Sequence, residues 1–263
     1  MKRIFIDQME RRVSLSSFPP QRIVSLVPSQ TELLFYLGLE REISGITKFC
    51  IHPEDQFRFK PKLGGTKSLH LDQIAALKPD LVIANKEENE KEQIEWLEER
   101  FPVWISDVVK PDDALEMIRR IGELTGKAEA ATVLSLKVQG EFSRLRAEKW
   151  PAKRAAYLIW NQPVMAAGAN TFIDSMLRLA GFKNVFSRHP RYPEITDADL
   201  QSANPELILL SSEPFPFSEK HMAHFREICP ESVIRLVNGE MFSWYGSRLL
   251  EAVRYIRALR KEV

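Results

Sequence analysis

The chain has 263 residues, 44% hydrophobic and 28% charged, a balance that excludes disordered and fibrous classes and suits one large or two small globular domains. Thirty-seven basic and thirty-six acidic residues leave a formal net charge of +1, so no bulk field draws the protein to nucleic acid or to an anionic membrane. No run of about 18 apolar residues offers a membrane-spanning helix.

Asp7, Glu10, Arg11 and Arg12 interrupt the start before a signal-peptide core forms. As the sequence stands, the expected address is cytoplasmic, with a periplasmic or cell-surface location the alternative if the start is trimmed or mis-assigned. Cys50 and Cys229 lack the Cys-x-x-Cys spacing of a redox pair or structural metal site. No disulfide framework and no prosthetic group are expected.

Short β-rich runs alternate with longer segments of helical period, which is the pattern of an α/β fold with mainly parallel sheets. Residues 3–7 and 11–15 read as a hairpin, and Ile23-Val-Ser-Leu-Val27 as the first buried strand. Ser29-Gln-Thr-Glu32 has capping-box spacing, which predicts a helix over 30–38 ended by Gly38. Strands are expected at 43–47, 81–84 and 102–106, and helices at 71–77, 89–100 and 112–124. Over 126–149, Ala131, Leu134, Val138, Phe142 and Leu145 recur at spacings of three and four without a proline. That predicts one long helix of roughly 36 Å, a rigid connector between two lobes. Strands near 154–160, 207–211 and 232–237 and helices near 171–180, 197–203, 218–227 and 246–260 complete the pattern. The expected organisation is an N-terminal lobe over 1–125 with its hairpin at 1–20, a backbone helix over 126–149, and a C-terminal lobe over 150–263.

An internal echo favours two related lobes. Asp72-Gln-Ile-Ala-Ala-Leu-Lys-Pro79-Asp80-Leu-Val-Ile83 is answered by Ala198-Asp-Leu-Gln-Ser-Ala-Asn-Pro205-Glu206-Leu-Ile-Leu209. Each copy reads as a short helix, a Pro-acid turn and a buried strand.

In parallel α/β lobes, ligands bind outside the carboxyl ends of the strands, so the loops there are the candidate site. They bring Lys48, Cys50, His52, Thr66, Lys67 and Asn85 from the first lobe. The second contributes Trp160, Tyr192, Glu213, Phe215, Phe217, Trp244, Tyr245 and Arg248. So many rings in loops suit a flat or bulky ligand in a cleft between the lobes, with Lys67 and Arg248 as polar clamps. Cys50 and His52, two apart, would share one face of an extended strand and could hold a metal with a further carboxylate. Phosphate-loop patterns are absent, which disfavours nucleotide enzymes.

Arg22-Ile-Val-Ser-Leu-Val-Pro-Ser-Gln-Thr-Glu-Leu-Leu34, Leu71-Asp-Gln-Ile-Ala-Ala-Leu-Lys-Pro-Asp-Leu-Val-Ile83 and the long central helix resemble the helical-backbone (class III) substrate-binding proteins of ABC importers for cobalamin, haem and iron-siderophores. Within that family the chain is most similar to cobalamin-binding proteins, through Thr47-Lys-Phe-Cys-Ile-His-Pro53, Gly64-Gly-Thr-Lys67, Ser212-Glu-Pro-Phe-Pro-Phe217 and Ser243-Trp-Tyr-Gly-Ser-Arg248. The resemblance implies two α/β lobes bridged by a rigid helix, a non-catalytic ligand cleft, and an ABC permease as partner. Where cobalamin receptors place pocket tryptophans, this chain has Thr66 and Tyr192. Where they place acidic permease-docking residues it has Asp72 and Ala198, the latter flanked by Asp197 and Asp199. Two other readings use the same loops. One is a tetrapyrrole-handling enzyme such as a chelatase, with His52 and Glu87 or Glu213 as catalytic pair. The other is a binder of a free transition metal through Cys50, His52 and a carboxylate.

Overall fold

The hairpin β1 (Arg3–Ile6) and β2 (Arg12–Leu15) opens the chain. Its turn is organised by Asp7, a fully buried carboxylate. Asp7 Oδ1 accepts the backbone N–H groups of Met9 and Arg11 at 2.9 Å each, and Oδ2 accepts the N–H of Ile105 at 3.3 Å. Gln8 N–H donates to the Ile105 carbonyl at 3.1 Å, so this turn covers an otherwise open sheet edge.

That edge belongs to the first sheet. In chain order come β3 (Ile23–Ser25), α1 (Pro28–Tyr36), β4 (Ile43–Ile46), the short hairpin β5 (Gly64–Gly65) and β6 (Ser68–Leu69), α2 (Leu71–Leu77), β7 (Leu81–Asn85), α3 (Lys91–Glu98), β8 (Val103–Ser106) and α4 (Pro111–Thr125). Four strands pair in the order β4-β3-β7-β8, all parallel. Val24, Leu26, Val82, Ala84, Ile94 and Leu97 pack together beneath them.

The computed structural model describes residues 2–263, and they fall into two compact units. Unit 1 holds the chain up to Val108, Asp112–Lys137 and Tyr245–Arg248; unit 2 holds Val109–Pro111, Val138–Trp244 and Leu249–Val263. Helix α5 (Ala128–Ala147) is continuous, and the division falls inside it. Its expected buried stripe is present, since Ala131, Leu134, Val138, Phe142 and Leu145 are all at most 1% exposed.

Unit 2 continues with β9 (Lys153–Trp160), β10 (Met165–Ala166), α6 (Phe172–Leu179), β11 (Phe182–Asn184), α7 (Asp197–Ala203), β12 (Leu207–Ser211), α8 (Glu219–Ile228), β13 (Val233–Val237), α9 (Glu240–Ser243) and α10 (Leu249–Glu262). Strands β9, β12 and β13 are parallel neighbours in that order, β11 runs parallel to the start of β9, and β10 lies antiparallel to its end. The fold is therefore α/β with mainly parallel sheets. Strands β5, β6, β10 and β11 are too short to leave a hydrophobic period, and the sequence did not announce them.

The sequence echo is an echo of structure. Helices α2 and α7 both end on a left-handed residue, Lys78 at φ 47° and Asn204 at φ 42°. The acid after each proline then reaches the start of a neighbouring strand. Asp80 accepts the backbone N–H groups of Gln21 and Arg22, and Glu206 accepts that of Arg154 at 2.9 Å. The arginine returns the contact in both units, Arg22 Nε to Lys78 O at 2.7 Å and the Arg154 guanidinium to Ala203 O.

Two helix expectations are corrected. Pro28 occupies the first turn of α1 with Val27 before it as cap, and no side chain caps the helix. Ser29 is thus already inside the turn, and Glu32 points elsewhere, so there is no capping box. The final helix begins at Leu249 rather than near 246, because Gly246 sits at φ +102°, outside helical backbone.

Candidate functional site

The loop after β4 inverts the expected pattern. Cys50 is fully buried, its Sγ 3.1 Å from Thr31 Oγ1 and 3.2 Å from Thr47 Oγ1. Burial pushes the thiol pKa up, against the pull of the two threonine hydroxyls, so the group stays protonated and is a poor nucleophile or metal ligand. His52 is half-buried in a loop rather than on a strand. Among the described residues no group of three His, Cys, Asp or Glu side chains is placed to hold a metal ion. The metal pair of Cys50 and His52 is therefore withdrawn.

With Cys50 turned inward, its neighbours turn out. Phe49 is 50% exposed and Ile51 42%. The Phe49 ring is seated rather than dangling: a Cβ on Gly65 would lie 3.2 Å from Phe49 Cε2, and Lys48 Nζ stands 5.0 Å from the ring centroid. Sequence reasoning named Lys48, Cys50 and His52 in this loop and passed over Phe49. The signal available was the alternation of a strand-like run once Cys50 is taken as core.

Asn85, at the end of β7, is a buried organiser of the next loop. Its Nδ2 donates to Ser106 Oγ at 3.0 Å, and its Oδ1 accepts the N–H groups of Glu87 and Glu88. With its amide so committed, Asn85 is corrected from ligand contact to loop support. Lys67 is exposed and ties the same loop down, donating to Glu87 O at 2.8 Å and pairing with Glu90 at 3.1 Å. The half-buried Thr66 receives Asn89 Nδ2 on its carbonyl at 3.1 Å.

Tyr245–Arg248, expected in the second lobe, packs with unit 1. Tyr245 is buried, its hydroxyl 3.2 Å from Glu88 Oε1. Arg248 is 7% exposed and meets Glu32 twice, Nε to Oε2 at 3.0 Å and Nη2 to Oε1 at 2.9 Å. A guanidinium already forked onto a carboxylate is not an open anion clamp, so that role is withdrawn for Arg248.

In unit 2 the rings gather where β9 and β12 end. Trp160, 39% exposed, closes on Phe215 with centroids 5.8 Å apart. Phe215 in turn meets Phe217 at 4.9 Å and His221 at 5.2 Å, all edge to face. Such contacts add about 0.5–1.5 kcal/mol each beyond area burial, so the cluster is a stiff wall. Within it Phe217 is buried and continues into the core against Phe225. Trp244 is likewise buried. Phe217 shapes the wall from behind instead of facing a ligand. Glu213 is half-buried and accepts Ser243 Oγ at 2.6 Å. A Cβ at Gly239 would fall 2.5 Å from Glu213 Cγ, so this approach needs glycine. Tyr192 is half-buried beside Arg191, whose guanidinium carbon is 5.8 Å from its ring centroid.

The acids differ in availability. Asp72 is exposed in the first turn of α2. Asp199 is used by α7 itself: its Oδ2 accepts both Thr196 N–H and Thr196 Oγ1, and the threonine hydroxyl bond holds its carboxyl below the usual range. Asp197 is half-exposed and meets His224 Nε2 at 3.0 Å.

Known proteins share this architecture. The vitamin B12-binding protein of Pectobacterium carotovorum subsp. carotovorum (strain PC1) is 24% identical over 243 residues, covering 90% of this chain and 87% of that protein. Periplasmic vitamin B12 binding protein BtuF of Vibrio cholerae superposes with a TM-score of 0.81 at 21% identity, over 94% of this chain and 98% of that chain. Periplasmic heme-binding protein BhuT, in complex with two hemes, does so with a TM-score of 0.80 at 22% identity, over 91% and 98%. The family model described as periplasmic binding protein matches residues 23–226, and with most of its length inside that match the chain belongs to the periplasmic binding protein family.

Proposed function

We propose that the protein is a non-catalytic receptor for a metal chelate of the cobalamin, haem or siderophore kind and hands it to an ABC importer. The observation that carries this reading is the pair of half-exposed rings at carboxyl strand ends, Phe49 after β4 in unit 1 and Trp160 at the end of β9 in unit 2. Each unit thus offers a stiff apolar surface suited to a flat ligand, and Lys48 adds a cation beside one of them. The relatives named for vitamin B12 and heme binding support the same ligand class. Two of the groups the sequence offered do not compete with it, since the Cys50 thiol is buried and Arg248 is paired with Glu32. Asp72 and Asp197 are the acids offered to a permease, Asp199 being taken up by its own helix.

Titration with cyanocobalamin, haemin and a ferric hydroxamate siderophore, followed by tryptophan fluorescence and melting temperature, tests the reading. A saturable rise in melting temperature with one chelate is expected, because a ligand that binds only the folded state stabilises it. No shift with any of the three counts against a chelate receptor.

A further inference from the structure

We infer that unit 2 binds a divalent oxyanion, phosphate or sulfate, at the start of β9, where Arg260 and Trp150 present nitrogen donors that no protein atom accepts and Lys153 adds a second positive charge. This goes beyond the receptor reading and does not depend on it.

Three buried side-chain nitrogens have no hydrogen-bond partner here: Arg260 Nε, Arg260 Nη1 and Trp150 Nε1. Arg260 lies in the last turn of α10 and is 3% exposed. Its remaining nitrogen, Nη2, donates to Pro151 O at 2.6 Å, which holds the guanidinium against the connection that carries Trp150. The guanidinium carbon stands 4.4 Å from the Phe182 ring centroid and 5.5 Å from that of Trp150. Gly181 sits between the two rings in the cluster. A Cβ there would lie 3.6 Å from Trp150 Cβ and 3.8 Å from its Cδ1, the carbon bonded to Nε1. The orphan donors of both side chains therefore belong to one place, beside Gly181 and Phe182.

The charge is as unmatched as the hydrogen bonds. Burial lowers the Arg260 pKa from its ordinary value, and no carboxylate raises it back. Stacked rings favour the cation but accept none of its in-plane N–H groups. Glu141 and Glu148, the acids that α5 and its end bring toward α10, are both taken by Arg257. Lys153 is the register partner of Phe182, so its side chain leaves the same face of the sheet.

Folded proteins rarely leave buried donors unmatched, and a desolvated cation without an opposite charge is costlier still. Every orphan is a donor, so the complementary group is an acceptor. Two cations match a charge of minus two, and a tetrahedral oxyanion serves diverging donors better than a planar carboxylate does. Burial of the donors favours a small free ion. Strand β9 rises about 23 Å from Lys153 to Trp160 at about 3.3 Å per residue, which sets this site apart from the aromatic wall.

The test follows the indole N–H resonances of the isotope-labelled full chain during titration with phosphate, sulfate and acetate at constant ionic strength. Five tryptophans give five signals, and that of Trp150 is the one absent from Trp150→Phe. It is expected to move saturably with phosphate and sulfate in the millimolar range and to stay in place with acetate. Arg260→Met should abolish the movement, and Lys153→Gln, a milder change at a half-buried residue, should weaken the phosphate midpoint several-fold. Phosphate should also raise the melting temperature of the wild-type protein more than that of Arg260→Met, because an ion that binds only the folded state stabilises it. A Trp150 signal unmoved by every anion overturns the inference and assigns the donors to ordered water. An equal response to acetate overturns it too, as does a midpoint unchanged in Lys153→Gln or a movement that survives in Arg260→Met.

Discussion

Arg248 and Glu32 stand 216 residues apart in the chain and meet through two nitrogen–oxygen contacts of 3.0 and 2.9 Å. The pair fastens Tyr245–Arg248 onto α1, so a residue that reads as a ligand clamp in the sequence is an internal tie. Removing one partner leaves the other charge largely out of water. Arg248→Ala is therefore expected to lower stability by about 3 kcal/mol in urea unfolding. A clamp would give the opposite result, lost chelate binding at unchanged stability.

Asp80 and Glu206 make equivalent ties in the two units. Asp80→Ala and Glu206→Ala should each cost about 1–2 kcal/mol, the range for a partly exposed carboxylate accepting backbone N–H groups. Matching losses are the expected outcome in chemical denaturation, and an effect at one position only would deny that the two ties are equivalent.

Cys50 should be silent to thiol reagents in the folded protein. With Cys229→Ser as background, modification by a disulfide reagent is expected to follow global unfolding instead of a fast surface reaction. The pH dependence has a definite sign. Burial raises the folded thiol above the ordinary cysteine range, so above about pH 9 the unfolded chain gives up the proton while the folded one keeps it, and stability falls as pH rises. Cys50→Ala should lessen that alkaline loss, and an unaltered slope would refute the assignment.

Phe49→Ala should weaken chelate binding by about tenfold or more with little change in melting temperature, because half of that ring already faces water. Phe217→Ala, by contrast, should cost about 3 kcal/mol in stability as a core truncation. Isothermal titration and thermal melts on the two variants separate the roles, and similar losses of stability in both would remove Phe49 from the binding surface.

The parts legible in the sequence share one cause. Ala131, Leu134, Val138, Phe142 and Leu145 announced α5 because helical period repeats locally, and the Pro-acid echo announced β7 and β12 because proline and a following acid set backbone within a few residues. The aromatic wall of Trp160 and Phe215 was also legible, since loops rarely carry so many rings. Errors arose where the partner is distant. Ser29 and Glu32 have capping-box spacing, yet Pro28 starts the helix early and Glu32 is claimed by Arg248.

By itself the sequence determined the α/β alternation, the long helix and the family, because periodicity and short motifs depend on neighbours along the chain. Only the tertiary structure decided that Cys50 faces inward and Phe49 outward, that Asn85 supports a loop, and that Tyr245–Arg248 joins unit 1. Those outcomes depend on Thr31, Thr47, Ser106 and Glu32. Burial and pairing are settled by residues far away in sequence, and no spacing rule reads across such separations.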